Sequence, residues 1–207
     1  KSAVLKLSHD KYFVESKFEL SSDVLIKDDI VTLNNSQLLV GKSQIKINGD
    51  IRDNFINLKF ESENLSYKEL KSIFPKRFFE SFAEYDISAI AKVNGNVKGA
   101  NSEKKSPSVL LNFDISKANF KYNKSYLNVI GKGSFNAIDI SKETSYKIVF
   151  PKIRISSNSS NIEGSLTLNN MKIMNLEFSG KTDFDFSEIN KIFLSDSTVN
   201  MNGKGSG

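Results

Sequence analysis

Along most of this chain, apolar and polar residues alternate one for one. In residues 55–61, Ile56, Leu58 and Phe60 share one face, with Asn57, Lys59 and Glu61 opposite. The pattern returns at Ile87, Ala89, Ala91 and Val93, and at Val109, Leu111, Phe113 and Ile115. It returns again at Ala118, Phe120 and Tyr122, and at Leu127 and Val129. Near the start, Val14, Ser16, Phe18 and Leu20 alternate against Glu15, Lys17 and Glu19. A period of two sends successive side chains to opposite faces of a strand. Strands of this kind form antiparallel sheets that are dry on one side and wet on the other. About a dozen such segments are present, separated by Asn-Gly, Asp-Asp, Asn-Asn and Lys-Gly pairs that favour turns. "INGDI" at 47–51 and "VNGNV" at 93–97 read as hairpin turns, because Asn-Gly accepts the positive φ of a type I′ turn. The expected fold is mainly β: a long antiparallel, twisted meander.

Helical signals are few, and they repeat. Ser66-Tyr67-Lys68-Glu69 has the form of a capping box, with Leu65 and Leu70 placed as a hydrophobic staple. Leu70, Ile73 and Phe74 make an apolar stripe, and Pro75 stops the helix. A second short turn, "KRFFESF", follows. The phrase "NLKFESENLSYKELKSIF" is echoed by "NLEFSGKTDFDFSEINKIF", in which Asp185 and Glu188 replace the cap pair. Phe184 and Ile189 replace the staple, and Ile189, Ile192 and Phe193 replace the stripe. From Asn57 to Asn175 is 118 residues, and from Ser66 to Asp185 is 119. The chain therefore reads as one continuous β-rich unit over 1–207 with an internal repeat of about 118 residues. The copies cover about 44–135 and 162–207, the second incomplete.

Composition narrows the class. Of 207 residues, 39% are hydrophobic and 26% charged, as expected of a folded chain rather than a disordered one. No apolar run reaches the roughly 20 residues needed to cross a bilayer as a helix. The opening "KSAVLKLSHD" has neither an initiator Met nor a signal peptide, so the sequence reads as part of a longer protein. The net charge of +5 is dispersed among acidic residues, which argues against a phosphate-binding stripe and so against nucleic acid as a partner.

The sequence offers little for covalent chemistry. Cysteine is absent and His9 is the only histidine, so neither a Ser-His-Asp triad nor a common zinc site can be assembled. "VGKS" at 40–43 resembles the tail of a P-loop, but Ser36 stands where the first glycine is required. The acidic pairs Asp28/Asp29 and Asp183/Asp185 sit where turns and helix starts use Asp for structure. No catalytic residue, metal or cofactor is expected. A facing pair of carboxylates, as in a carbohydrate-active enzyme, leaves no short motif and stays open as an alternative.

The order of elements resembles a known family. A strand pair leads into the helix "NLSYKELKSIFP", followed by "ISAIAKVNGNVKG", the polar loop "ANSEKKSPS", "VLLNFDISKANFKY" and a strand with "GKGSF". This order is similar to the AsmA-like and TamB-like proteins of Gram-negative envelopes, relatives of the bridge-like lipid transfer proteins. It covers about residues 44–135 and begins again at 162. The resemblance implies a non-enzymatic periplasmic module, joined to the inner membrane by an N-terminal anchor elsewhere in the full-length protein. Its strands would curl into a half-pipe carrying phospholipid acyl chains between the membranes, supporting outer-membrane integrity beside envelope protein partners.

The residues' own physics is compatible with a groove. A meander with too few helices to cover its apolar face must close on itself, pack on a partner or bind something apolar. The groove would be lined by Ile56, Leu58, Phe60, Ile87, Val93, Val109, Leu111 and Phe113. The competing architecture is a closed sandwich or barrel, with a structural or adhesive role in binding protein or glycan. The helices are expected to act as joints between repeats, through Leu70, Ile73 and Phe74 and through Ile189, Ile192 and Phe193. Membrane contact through Lys68, Lys71, Lys76, Arg77, Phe78, Phe79 and Phe82 is the alternative.

Overall fold

The computed structural model describes residues 5–7, 10–12, 18–73, 79, 83, 85–102, 105–122, 125–170, 173, 175–185 and 204–206. A small hairpin, β1 (Leu5–Leu7) with β2 (Asp10–Tyr12), stands apart from the main sheet. The main sheet has eleven strands, each antiparallel to the next and all in chain order. They are β3 (Phe18–Lys27), β4 (Ile30–Val40), β5 (Ser43–Arg52), β6 (Phe55–Ser66), β7 (Asp86–Ala100) and β8 (Ser108–Tyr122). After them come β9 (Ser125–Ala137), β10 (Tyr146–Ser156), β11 (Asn161–Asn169), β12 (Asn175–Asp185) and the short β13 (Lys204–Ser206). One helix, α1 (Tyr67–Ile73), follows β6. Among the described residues every substantial contact between strands joins hydrogen-bonded neighbours, and no second sheet packs on the first. The sheet is not closed into a barrel, because β3 and β13 are its two ends. The closed sandwich and the closed barrel are therefore set aside in favour of the open half-pipe.

The tight turns fall where the backbone demands positive φ. Asp28 and Asp29, at φ 49° and 59°, join β3 to β4 as the left-handed pair that a two-residue hairpin requires. Gly41, at φ 59°, does the same between β4 and β5. Asn48-Gly49 and Asn94-Gly95 do not turn. Gly49 lies within β5 and Gly95 within β7, correcting the expectation that "INGDI" and "VNGNV" are hairpins. Packing decides this: a Cβ on Gly95 would lie 3.0 Å from the Phe60 ring and would collide with the Leu110 carbonyl. The third pair, Asn34-Asn35, is a bulge in β4, with Asn35 at φ 49°.

Bulges recur on alternate strands. Two residues oppose one at Asn34-Asn35 on β4, Glu63-Asn64 on β6, Ser116-Lys117 on β8 and Pro151-Lys152 on β10. Each bulge bends its strand and increases the local twist. Placed on strands that all run the same way, they curl the sheet in one sense. Pro151, which cannot donate to a ladder, is accommodated at such a site.

Between the bulges the register aligns apolar residues in rows across the strands. One row runs Ile47, Phe60, Gly95, Leu111, Phe135, Ile148, Leu168 and Leu176. Rings on this face lie over glycines, as Phe113 lies over Gly133 of the next strand, and Phe178 over Gly164 of the next strand and Gly180 of its own. Phe113 and Phe150 also meet edge to face at 5.2 Å. Among the described residues eight hydrophobic side chains are buried, a small core that fits a single layer with an uncovered face.

Gly133→Ala tests the ring-over-glycine packing. A Cβ there would sit 2.6 Å from Phe113 Cε2 and 2.7 Å from the Val149 carbonyl oxygen. The substitution is expected to lower stability by about 1–3 kcal/mol, measured by urea denaturation. Gly99, whose nearest added contact is the Pro107 Cα at 3.4 Å, isolates the backbone cost of its φ of 133° as a comparison.

Candidate functional site: an apolar trough

The eight residues expected to line a groove all lie on one face of the sheet. Ile56, Leu58 and Phe60 on β6 pair across to Gly99, Val97 and Gly95 on β7. Val93 and Ile87 on β7 oppose Phe113 and Phe120 on β8, and Val109 and Leu111 continue the same face. All eight are half-buried, neither sealed in a core nor fully open to water. The face extends over ten strands, from Leu20, Val24 and Ile26 on β3 to Leu176 and Phe178 on β12. At about 4.8 Å per strand, eleven strands give a trough roughly 48 Å long.

The two long margins of this trough are formed by strand ends, and each carries a cover. On one margin α1 lies against β6 and β7 and inserts Ile73 among Leu38, Val40 and Ile45. Phe18, Ile47, Phe60 and Leu65 pack around that cluster. The helix starts as the sequence predicts, with the Glu69 N–H donating to the Ser66 hydroxyl at 3.2 Å. The reciprocal half of the capping box is replaced. The Ser66 N–H donates to the Ser43 hydroxyl at 3.2 Å, and the Glu69 carboxylate accepts from the Lys42 N–H at 3.4 Å. Glu69 thus ties α1 to the β4–β5 turn. Tyr67 meets Phe79 edge to face at 5.7 Å, and partial burial raises its phenol pKa. Phe74, Ile189, Ile192 and Phe193 of the expected joints lie outside the described residues, as do Phe78 and Phe82.

The opposite margin was not foreseen. After β9 the chain folds over Ala137 and Tyr146, both buried, through a 3-10 turn at Glu143–Ser145. The Tyr146 hydroxyl donates to the Ile140 carbonyl at 2.6 Å, and the Ile140 N–H donates to the Pro107 carbonyl at 3.2 Å. Asp139 organises this loop by accepting from the Ser141 hydroxyl at 2.6 Å and the Ser141 N–H at 3.0 Å. The "DIS" step, an acidic residue two before a serine, was the available sequence signal for such a turn.

Within the face, four serines interrupt the apolar rows. The Ser22 and Ser36 hydroxyls bond each other at 2.5 Å, and the Ser43 hydroxyl donates to the Asn64 carbonyl at 2.9 Å. Ser62 Oγ is buried without a partner. The opposite, convex face is charged and wet. Lys46–Glu61, Lys92–Glu63, Lys132–Asp114 and Arg154–Glu163 each bridge adjacent strands at 2.7–3.2 Å. The Arg154 guanidinium holds the Glu163 carboxyl below its usual range, and Glu63 holds the Lys92 ammonium above its own. These exposed pairs add solubility and register more than stability.

Leu58 and Phe60 on β6, and Leu176 and Phe178 on β12 six strands later, point to the same face. The Ser66 N–H donates to Ser43 Oγ where β6 ends, and the Asp185 N–H donates to Ser160 Oγ at 3.1 Å where β12 ends. Among the described residues no cluster of three or more His, Asp or Glu could hold a metal. No helix is long and apolar enough to cross a membrane. No family model, curated protein or solved structure matches this chain.

Two substitutions test the margins. Ile73→Ala is expected to cost about 2–4 kcal/mol and to speed amide exchange in β4 and β5. The Asp139 carboxyl is held below the usual carboxylate range, chiefly by the Ser141 hydroxyl. Its contribution is therefore complete above the unfolded-state value and is lost as pH falls through the lower folded-state value. The stability gap between wild type and Asp139→Asn should be widest near neutral pH. It should close in acid, as read from urea midpoints across pH.

Proposed function

We propose that this chain is a non-enzymatic module that holds phospholipid acyl chains along the apolar trough, as in the AsmA-like and TamB-like envelope proteins it resembles. In a longer protein with an inner-membrane anchor, it would form a stretch of a periplasmic path between the two membranes. One observation carries the reading: an apolar face continuous over ten strands, half-buried along β6–β8, open to water at its ends and backed by a charged convex face. An adhesive domain needs a shaped polar surface, and a glycosidase needs facing carboxylates in a cleft. A trough is the geometry that suits a ligand long in one direction and apolar along its length.

The expected result is phospholipid retained by the purified chain in native mass spectrometry. The lipid should be lost in Leu58→Asp and Leu111→Asp variants whose circular dichroism is unchanged. A lipid-free mass, with no uptake of a fluorescent phospholipid from vesicles, would move the assignment to a scaffolding or adhesive role.

A further inference from the structure

We infer, building on the acyl-lipid reading of the trough, that Ser62 is where the floor recognises the polar end of its ligand. With α1 lifted from β6, the Ser62 hydroxyl donates to the ester carbonyl of a bound acyl lipid.

Ser62 stands in the apolar phase of β6. Ile56, Leu58 and Phe60 precede it on the trough face, Leu65 follows beyond the bulge, and Val93 is its partner on β7. It is 4% exposed. Among the described residues two side-chain polar atoms are buried with no hydrogen-bond partner, Ser62 Oγ and Asn170 Oδ1. Asn170 lies past the end of β11, so only Ser62 belongs to the floor. The other buried serines are satisfied: Ser36 bonds Ser22, and Ser43 donates to the Asn64 carbonyl at 2.9 Å. An apolar side chain at 62 would leave no polar group stranded, whereas a buried hydroxyl without a partner costs stability. That cost has a use when the partner arrives with the ligand.

α1 is the cover over this position. Phe60 and Leu65, the floor residues on either side of Ser62, pack around the cluster that Ile73 enters. The hold is slight. α1 has seven residues, too few to be stable alone, and Ile73 is its one buried residue. The Glu69 carboxylate ties it to the β4–β5 turn at 3.4 Å from the Lys42 N–H nitrogen and 3.5 Å from Ser43 Oγ, the long limit for such bonds. An element held this way opens at lower cost than the strands beneath it. Lifting it uncovers one hydroxyl donor in an apolar floor. That suits a ligand with an acceptor on an otherwise apolar body, as where an acyl chain joins its glycerol. Ser62 lies four residues from the end of β6, so a chain bound there follows the floor while its headgroup leaves over the margin.

The test compares a diester phosphatidylcholine with its dialkyl ether analogue of equal chain length, which lacks the carbonyl. Both are offered as vesicles to the unmodified chain and to Ser62→Ala. The unmodified chain should retain the ester about two- to tenfold better than the ether, and Ser62→Ala should retain both alike. The urea midpoint of Ser62→Ala should hold or rise, because the hydroxyl has no partner to lose. Amides of α1 should exchange faster in the loaded chain than in the free one. Equal retention of ester and ether by the unmodified chain overturns the Ser62 contact and leaves the acyl-lipid reading standing. Retention of neither overturns that reading and the contact with it. A lower midpoint would show Ser62 already paired, and α1 amides no faster on loading would show the helix staying down; either result overturns the inference.

Discussion

A single layer of β-sheet cannot bury its own apolar face, and this constraint shapes everything else in the molecule. Layered domains solve it by packing a second element on the first. Here the chain supplies one seven-residue helix and one loop, which cover the margins and leave the middle half-open. Stability must then come from strand-to-strand interfaces, each worth a few cross-strand pairs of about 0.2–1 kcal/mol. Such a structure resembles a solenoid more than a globule, since each strand depends only on its neighbours. Strands at the ends are expected to open more easily than β4–β9, which hold the α1 cluster on β4–β6 and the longest strands on β7–β9.

Glycine resolves the local conflict that this design creates. Curling a sheet toward its apolar face crowds the side chains on the concave side. Large rings at Phe60, Phe113 and Phe178 fit only because Gly95, Gly133, Gly164 and Gly180 leave space beside them. The bulges on β4, β6, β8 and β10 supply the bend, and the ring-glycine pairs make room for it. Cross-strand charges on the convex side, where residues are farther apart, face no such crowding.

Much of the fold was legible because a period of two survives along nearly every strand. It puts Ile56, Leu58, Phe60, Ile87, Val93, Val109, Leu111 and Phe113 on one face, as the strand pairing does. Three features were hidden. Asn48-Gly49 and Asn94-Gly95 look like turns when read as dipeptides. Yet alternation passes straight through them, from Ile47 to Ile51 and from Val93 to Val97, with glycine in the apolar phase. That phase was the better signal. β8 was divided at Ile115 and Ala118 because a bulge at Ser116-Lys117 shifts the period by one, which mimics a strand boundary. The Tyr146 margin depends on a long-range contact with Pro107, and no local pattern encodes it.

Length is the property this architecture extends most cheaply. A globular core grows in three dimensions and soon reaches a limit, whereas a curled meander adds about 4.8 Å of trough with every strand. The six strand spacings from β6 to β12 correspond to roughly 29 Å, close to the hydrocarbon thickness of a bilayer. Each further strand would lengthen the trough without altering its cross-section, because the apolar residues of neighbouring strands stay on one face.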